Sequence, residues 1–328
     1  MKLSMRAIKS AVIVLGLVLP MMASAISLPP RFYLKTLIGG EFIPILRIDT
    51  TGNVNPLDPG YLVDSDAEID AEIVFAGYAK SFTAFGRAAS MAYLQPMGEM
   101  SLETFGPPNA KSTASGFGDP FFEFNINLIG PDPQVLLSDL FRYQPGFSLD
   151  MIIDVSLPLG EYDEGEAINI GMNRYWGRLG FPLTLQLGEI WAPSQRATFE
   201  LLPTVIWMGD NDGYGASGDQ TQEVDTGYSL AGHLTFDVAD NIWVSLDATY
   251  LKMGDSEVEG VTSDGSEFTS IGVTIGMQLT RNLFASIGYE STIDDEEPGD
   301  VQLSTFSASL TFFWADILEG LYRRGVIE

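Results

Sequence analysis

Residues 147–157 read Phe147-Ser148-Leu149-Asp150-Met151-Ile152-Ile153-Asp154-Val155-Ser156-Leu157, and their period decides the class of fold. Counted by twos, Phe147, Leu149, Met151, Ile153, Val155 and Leu157 share one side, while Ser148, Asp150, Asp154 and Ser156 share the other. That is a strand with one apolar and one polar face. A soluble β-sandwich would bury the apolar face in a core, whereas a membrane barrel would turn it to lipid and the polar face to a lumen. The same alternation returns where Ile242, Val244, Leu246, Ala248 and Tyr250 oppose Ser245, Asp247 and Thr249. It returns again where Ile271, Val273, Ile275, Met277 and Leu279 oppose Gly272, Thr274, Gly276 and Gln278. Phe306, Ala308, Leu310, Phe312 and Trp314 then oppose Ser307, Ser309 and Thr311, an aromatic-rich closing strand of the kind found in outer-membrane barrels.

The N-terminus separates the two readings of that pattern. Lys2, Arg6 and Lys9 precede the apolar run Ala11–Leu19, and Ala23-Ser24-Ala25 follows it, which is the layout of a cleaved export signal. The signal is expected to span 1–25, with the mature chain starting at Ile26. The run is well short of the ~20 residues of a spanning helix, and no later stretch is long and apolar enough to be one. A membrane span therefore has to be β. The chain has no cysteine, so a small disulfide scaffold is excluded. Losing a signal that carries three of the 17 Lys+Arg and none of the acids takes the net charge from −27 to −30, which argues against a nucleic-acid partner.

Twelve strands are expected, bounded to within ~2–4 residues. The first six are Arg31–Asp49, Ala67–Tyr78, Thr83–Gln95, Phe117–Ile129, Pro145–Leu157 and Leu179–Ile190. The others are Arg196–Gly209, Asp225–Val238, Ile242–Met253, Glu267–Leu279, Leu283–Ser291 and Gln302–Trp314. Long polar links (Thr50–Asp66, Pro96–Gly116, Pro158–Arg178, Asp210–Val224, Gly254–Ser266, Thr292–Val301) alternate with short ones at Ala79–Phe82, Trp191–Gln195, Ala239–Asn241 and Thr280–Asn282. Transmembrane barrels place long loops outside and tight turns in the periplasm, and an even strand count returns both ends to the periplasmic side. Gly130–Gln144 is the exception, too long for a tight turn. Gly39-Gly40 is read as a kink in the first strand. The expectation is one all-β, transmembrane, antiparallel up-and-down barrel over residues 26–328, with 315–328 as a short periplasmic tail.

Three clusters carry a family resemblance. They are Gly116-Phe117-Gly118-Asp119-Pro120, Leu157-Pro158-Leu159-Gly160-Glu161-Tyr162-Asp163 and Asn169-Ile170-Gly171-Met172-Asn173-Arg174-Tyr175-Trp176. Together they resemble the MetA-like outer-membrane transporters named for the phenol meta-degradation pathway. The resemblance implies passive uptake of hydrophobic or aromatic compounds through the outer membrane. Asp163, Asn169, Asn173, Arg174 and Trp176 become extracellular-loop candidates, with Arg174 beside Asp163 and Glu166 as a way to pin the loop over the barrel mouth. Asn, Asp and Gly in this stretch are also plain turn formers, so loop folding and solute contact both remain open.

Under these registers Glu123, Asp150, Asp154, Glu200, His233, Asp237, Asp247 and Glu290 are lumen-lining candidates. They would either favour cations by their field or fill the interior as a hydrated polar network. With a single histidine, no cysteine and no serine motif around which a triad forms, no enzyme, cofactor or metal centre is expected. The acids Asp210, Asp212 and Asp294–Glu297 lack the spacing of a calcium loop. The partners expected are outer-membrane lipid and lipopolysaccharide, a small hydrophobic or aromatic solute, and the barrel-assembly machinery during biogenesis. The alternative is a closed structural barrel that works through its loops.

Overall fold

Alternating strands of this kind leave ladder groups unpaired at both edges of a flat sheet, and closure removes the edges. The computed structural model describes residues 29–31, 34, 37–60, 67–105, 109–136, 139, 146–188, 196–293 and 301–315. The expected signal, the Trp191–Gln195 turn, the acids Asp294–Glu297 and the tail beyond Ala315 lie outside them. The chain runs through β1 (Gly40–Gly52), β2 (Ala67–Ala84), β3 (Arg87–Thr104), β4 (Ala110–Phe117), β5 (Phe121–Ile129) and β6 (Phe147–Ser156). It continues with β7 (Trp176–Gly180), β8 (Leu183–Leu187), β9 (Ala197–Met208), β10 (Asn211–Tyr214), β11 (Gln220–Val224) and β12 (Gly227–Ala239). The last six are β13 (Ile242–Lys252), β14 (Ser256–Val258), β15 (Val261–Ser263), β16 (Glu267–Thr280), β17 (Leu283–Thr292) and β18 (Leu303–Ala315).

β18 pairs antiparallel with β1, and β9 with β12, so the sheet closes on itself. β4 and β5 occupy one position beside β3, and β7 and β8 one position between β6 and β9, which makes a twelve-stranded antiparallel barrel. Both breaks fall at proline, in Gly118-Asp119-Pro120 and in Phe181-Pro182, where the missing N–H interrupts the ladder. Gly40 faces Ala315 across the closing pair, so both ends of the wall lie at the end that carries the short turns.

Burial alternates along most of the long strands. Ile271, Val273, Ile275 and Met277 are exposed outward while Ser270, Thr274 and Gly276 are buried inward, and Leu230, Leu234 and Phe236 face away from Ser229, His233 and Asp237. An outward apolar belt with a polar interior is stable only against acyl chains.

The structure corrects several sequence boundaries. The first strand starts at Gly40, not at Arg31, because the backbone turns over Leu37–Gly40, with Gly39 at φ +80°. Ser81 fixes that turn, donating Oγ–H to Leu37 O at 2.7 Å and accepting from Gly40 N at 2.9 Å. The expected Ala79–Phe82 turn is strand, since Ala79 and Ser81 keep pointing inward. The hairpin closes instead on Phe85-Gly86, both left-handed, in the two-residue form that suits strand twist. The expected loop Pro96–Gly116 is mostly the upper half of β3 and nearly the whole of β4, paired to each other. Strands of 18 residues exceed the ~9–11 needed to cross a bilayer, so β2 and β3 project beyond it. Links 210–224 and 254–266 hold a separate four-stranded sheet, β10-β11-β14-β15, at the same end. The Gly130–Gln144 exception has a partner too: Ile38 N donates to Gln134 O at 3.0 Å, so this link holds the segment before β1.

At the long-loop end the interior is a hydrophobic core. Val54 and Leu57 from the first long link, with Ile168, Ile170 and Met172 from the link after β6, fold inward against Ile48, Ile69, Met100 and Leu251. Below it, toward the short turns, the interior becomes polar.

Candidate functional site

The inward registers of β5, β6, β9, β12, β13 and β17 bring carboxylates to one enclosed space. Glu123, Asp150, Asp154, Glu200, His233, Asp237 and Asp247 are buried there, and Glu290 is half-buried. Ion pairs and hydroxyls organise them. Glu123 faces Asp154 across β5–β6, and Asp154 faces Arg178 across β6–β7, where Arg178 Nε donates to Asp154 Oδ2 at 2.6 Å. Asp150 accepts from Asn127 Nδ2 at 2.7 Å, and Arg87 donates to the same asparagine from the short-turn end. His233 Nδ1 lies 2.8 Å from Asp247 Oδ1, and Asp247 also accepts Ser245 Oγ and Thr274 Oγ1, each at 2.6 Å. These hydroxyls serve the carboxylate and not the imidazole, so the geometry is not that of an activated serine. Ser270 Oγ donates to Glu290.

Arg31, expected in the first strand, sits inside the barrel. Its backbone N–H donates to Glu200 Oε2 at 2.5 Å and its Nη2 to Asp237 Oδ1 at 2.6 Å, while Arg196 holds the other oxygen of Asp237. The guanidinium stands 4.9 Å from the centre of the Trp243 ring. That ring lies flat on Gly276, where any Cβ would come within 2.1 Å of it. Pro29 and Pro30 continue the segment, leaving a space of about 40 Å³ against His233, Asp247 and Glu290. A chain segment that is no part of the wall therefore stoppers the polar section. The sequence held one signal of this: an inward face rich in carboxylates and poor in cations requires a counter-charge from elsewhere.

At the long-loop end a second assembly closes the mouth. Arg174 Nη2 donates to Asp58 Oδ2 at 2.5 Å, with the arginine side chain 0 % exposed and the aspartate 7 %. Asp163 and Glu166 are not its partners, because Asp58 is the acid that folds inward with the first long link. Asp119 binds the same link after β6 from below, accepting from Gly160 N at 2.7 Å and Met172 N at 2.8 Å. Burial pushes its carboxyl above the ordinary range despite those backbone donors. Asn169 closes its own loop, accepting from Asp163 N at 2.8 Å. Asn173, at φ 55°, donates Nδ2–H to Asn211 Oδ1 at 2.9 Å. Trp176 is not a loop residue: it opens β7 and is buried inside, its ring 5.2 Å from that of Phe121.

The family model described as "Putative MetA-pathway of phenol degradation" matches residues 41–310. Among solved structures the chain is similar to an outer-membrane channel from Pseudomonas putida F1, with TM-score 0.68 and 18 % identity, covering 90 % of this chain and 100 % of that one. At this identity the likeness speaks for the fold. The transport unit of the autotransporter AIDA-I from Escherichia coli (TM-score 0.47, 12 % identity, 96 % and 100 % covered) and a FadL homologue from Pseudomonas aeruginosa (0.42, 10 %, 83 % and 89 %) are too distant to argue from. No curated protein matches the sequence.

Proposed function

Because the chain belongs to that phenol MetA-pathway family, we propose that it is a passive outer-membrane channel for small hydrophobic or aromatic compounds. Both ends of the chain would lie on the periplasmic side, and lipid and lipopolysaccharide would surround the apolar belt. The barrel-assembly machinery would insert the chain after removal of residues 1–25, leaving residues 26–328 as one barrel domain with a tail from 315. Transport here requires no cofactor and no catalysis, and the strongly acidic chain is no ligand for nucleic acid. The observation that carries this reading is the stopper: Pro29–Arg31 is held to the polar wall by side-chain contacts of Arg31 to Asp237, Thr235 and Trp243 and by one N–H contact to Glu200, with no strand pairing of Arg31 to the wall. Such a contact can be released without opening the barrel. On this reading Glu123, Asp150, Asp154, Glu200, His233, Asp237, Asp247 and Glu290 line the path, and Asp163, Asn169, Asn173 and Arg174 organise the entrance over Trp176.

The test is solute-dependent swelling of liposomes that carry the refolded mature barrel, with Arg31→Ala alongside the wild type. Flux that rises in Arg31→Ala supports the channel. Silence from both, with the heat-modifiable shift of a folded barrel intact, removes it. One observation favours the alternative of a closed, loop-working barrel, namely the apolar core that the two infolded links build across the mouth, and that outcome would select it.

A further inference from the structure

Above the Asp58–Arg174 pair lies a cavity of about 240 Å³, enclosed by the link after β6 and by the small sheet of β10 and β11. A cavity of about 150 Å³ is known to take a benzene ring, so there is space here for one ring with substituents. The rings of Tyr162 and Tyr214, with Ile168 and Met172, give apolar wall. Asp58, the acid in the floor, is neutralised by Arg174 at 2.5 Å. Burial holds both phenols above their ordinary range, so they stay uncharged at neutral pH. No cation is among the lining residues, while Glu166 stands at the rim, and the chain as a whole is strongly acidic. An anionic solute would meet the Glu166 charge with no lining cation to offset it.

The polar contact still open belongs to Gln222. This side chain lines the cavity and is 3 % exposed; its Nε2 donates to Ser256 Oγ at 3.0 Å, and its Oε1 has no hydrogen-bond partner. A buried carbonyl oxygen without a donor has lost water and gained nothing, so a ligand whose entry turns this amide toward the cavity and brings it a donor gains the interaction. We propose that this cavity is a capture site for a neutral single-ring solute bearing a hydroxyl or amino group, the ring held between Tyr162, Tyr214, Ile168 and Met172 and the donor given to Gln222 Oε1. The proposal rests on the channel reading for what happens next to the solute, but binding at this site does not require conduction.

Calorimetry on the detergent-solubilised mature barrel tests it with 4-methylphenol, its methyl ether 4-methylanisole, and 4-methylbenzoate. The phenol should bind about tenfold more tightly than the ether, the worth of one hydrogen bond, and the carboxylate should bind more weakly than either. Gln222→Met keeps the volume and should erase the preference for phenol over ether, while Ser256→Ala removes only the glutamine's anchor and should retain it. Ala216→Trp fills the space and should abolish binding of both neutral rings, with the heat-modifiable band as the check on folding. Equal affinity for all three probes, or a phenol preference that survives Gln222→Met, overturns the proposal. Liposome swelling with 4-methylphenol is read separately. Binding without flux would leave the site standing and sink the channel; flux without binding would do the reverse.

Discussion

Replacing Asp58 by alanine should open the mouth of the barrel and leave its wall intact. Arg174 is 1 % exposed, gives Nη2 to Asp58, and has no partner for Nε or Nη1. Without Asp58 a buried cation is left uncompensated, a loss of about 3–5 kcal/mol when one partner of such a pair is removed. Neither residue belongs to the barrel's ladder: Asp58 follows β1 and Arg174 precedes β7. The cost therefore falls on docking of the two links, shifting their closed-to-open ratio by roughly two to four orders of magnitude. Limited proteolysis reads that ratio where opening is fast relative to cleavage. Cleavage within 53–60 and 158–175 should accelerate by at least ~100-fold, while the heat-modifiable band of the barrel melts as in wild type. The double variant Asp58→Leu with Arg174→Met should recover most of the protection, since apolar replacement of a buried pair is often neutral or better. Wild-type protection in Asp58→Ala, or a double variant cleaved faster than the single, would refute the reasoning.

The other expectations concern the interior and the clamp. Arg31→Ala should raise single-channel conductance in planar bilayers, and Asp237→Asn should do so less, because the guanidinium remains in the barrel against Trp243 and Thr235. Gly276→Val should act in the same direction by lifting Trp243 from under the Arg31 guanidinium, visible as a shift in tryptophan emission. Asp154→Asn deprives the buried Arg178 of its ion pair and should cost about 3 kcal/mol in urea unfolding, so a change in ion selectivity would come with lost stability. For Asp119 the folded carboxyl is raised, so its contribution to docking is complete below the ordinary carboxylate range and is lost as pH rises through the raised value. The link after β6 should thus resist an acid-active protease better near the ordinary aspartate range, at about pH 4, than at about pH 8, and Asp119→Asn should flatten that difference.

Some of this was readable because lipid and water act on each residue separately. Ile271, Val273, Ile275 and Met277 had to face one way and Thr274 and Gly276 the other whatever the rest of the chain did, and an even count with alternating long and short links allowed closure. The same rule brought Asp150, Asp154, Glu200, His233, Asp237 and Asp247 to the inward registers. Where it failed, the residues had left the wall. Arg31 reads as strand in the sequence because the turn at Leu37–Gly40 depends on Ser81, which belongs to β2. The acids nearest Arg174 in sequence are Asp163 and Glu166, yet its partner is 116 positions away.

Period two and closure were therefore determined by the sequence, since both follow from local alternation and the need to leave no edge in lipid. What fills the barrel was decided only by the tertiary structure. Arg31 meets Asp237 across 206 positions of chain, and a buried charge is satisfied by whichever opposite charge the fold carries to it, with no local pattern to announce the match.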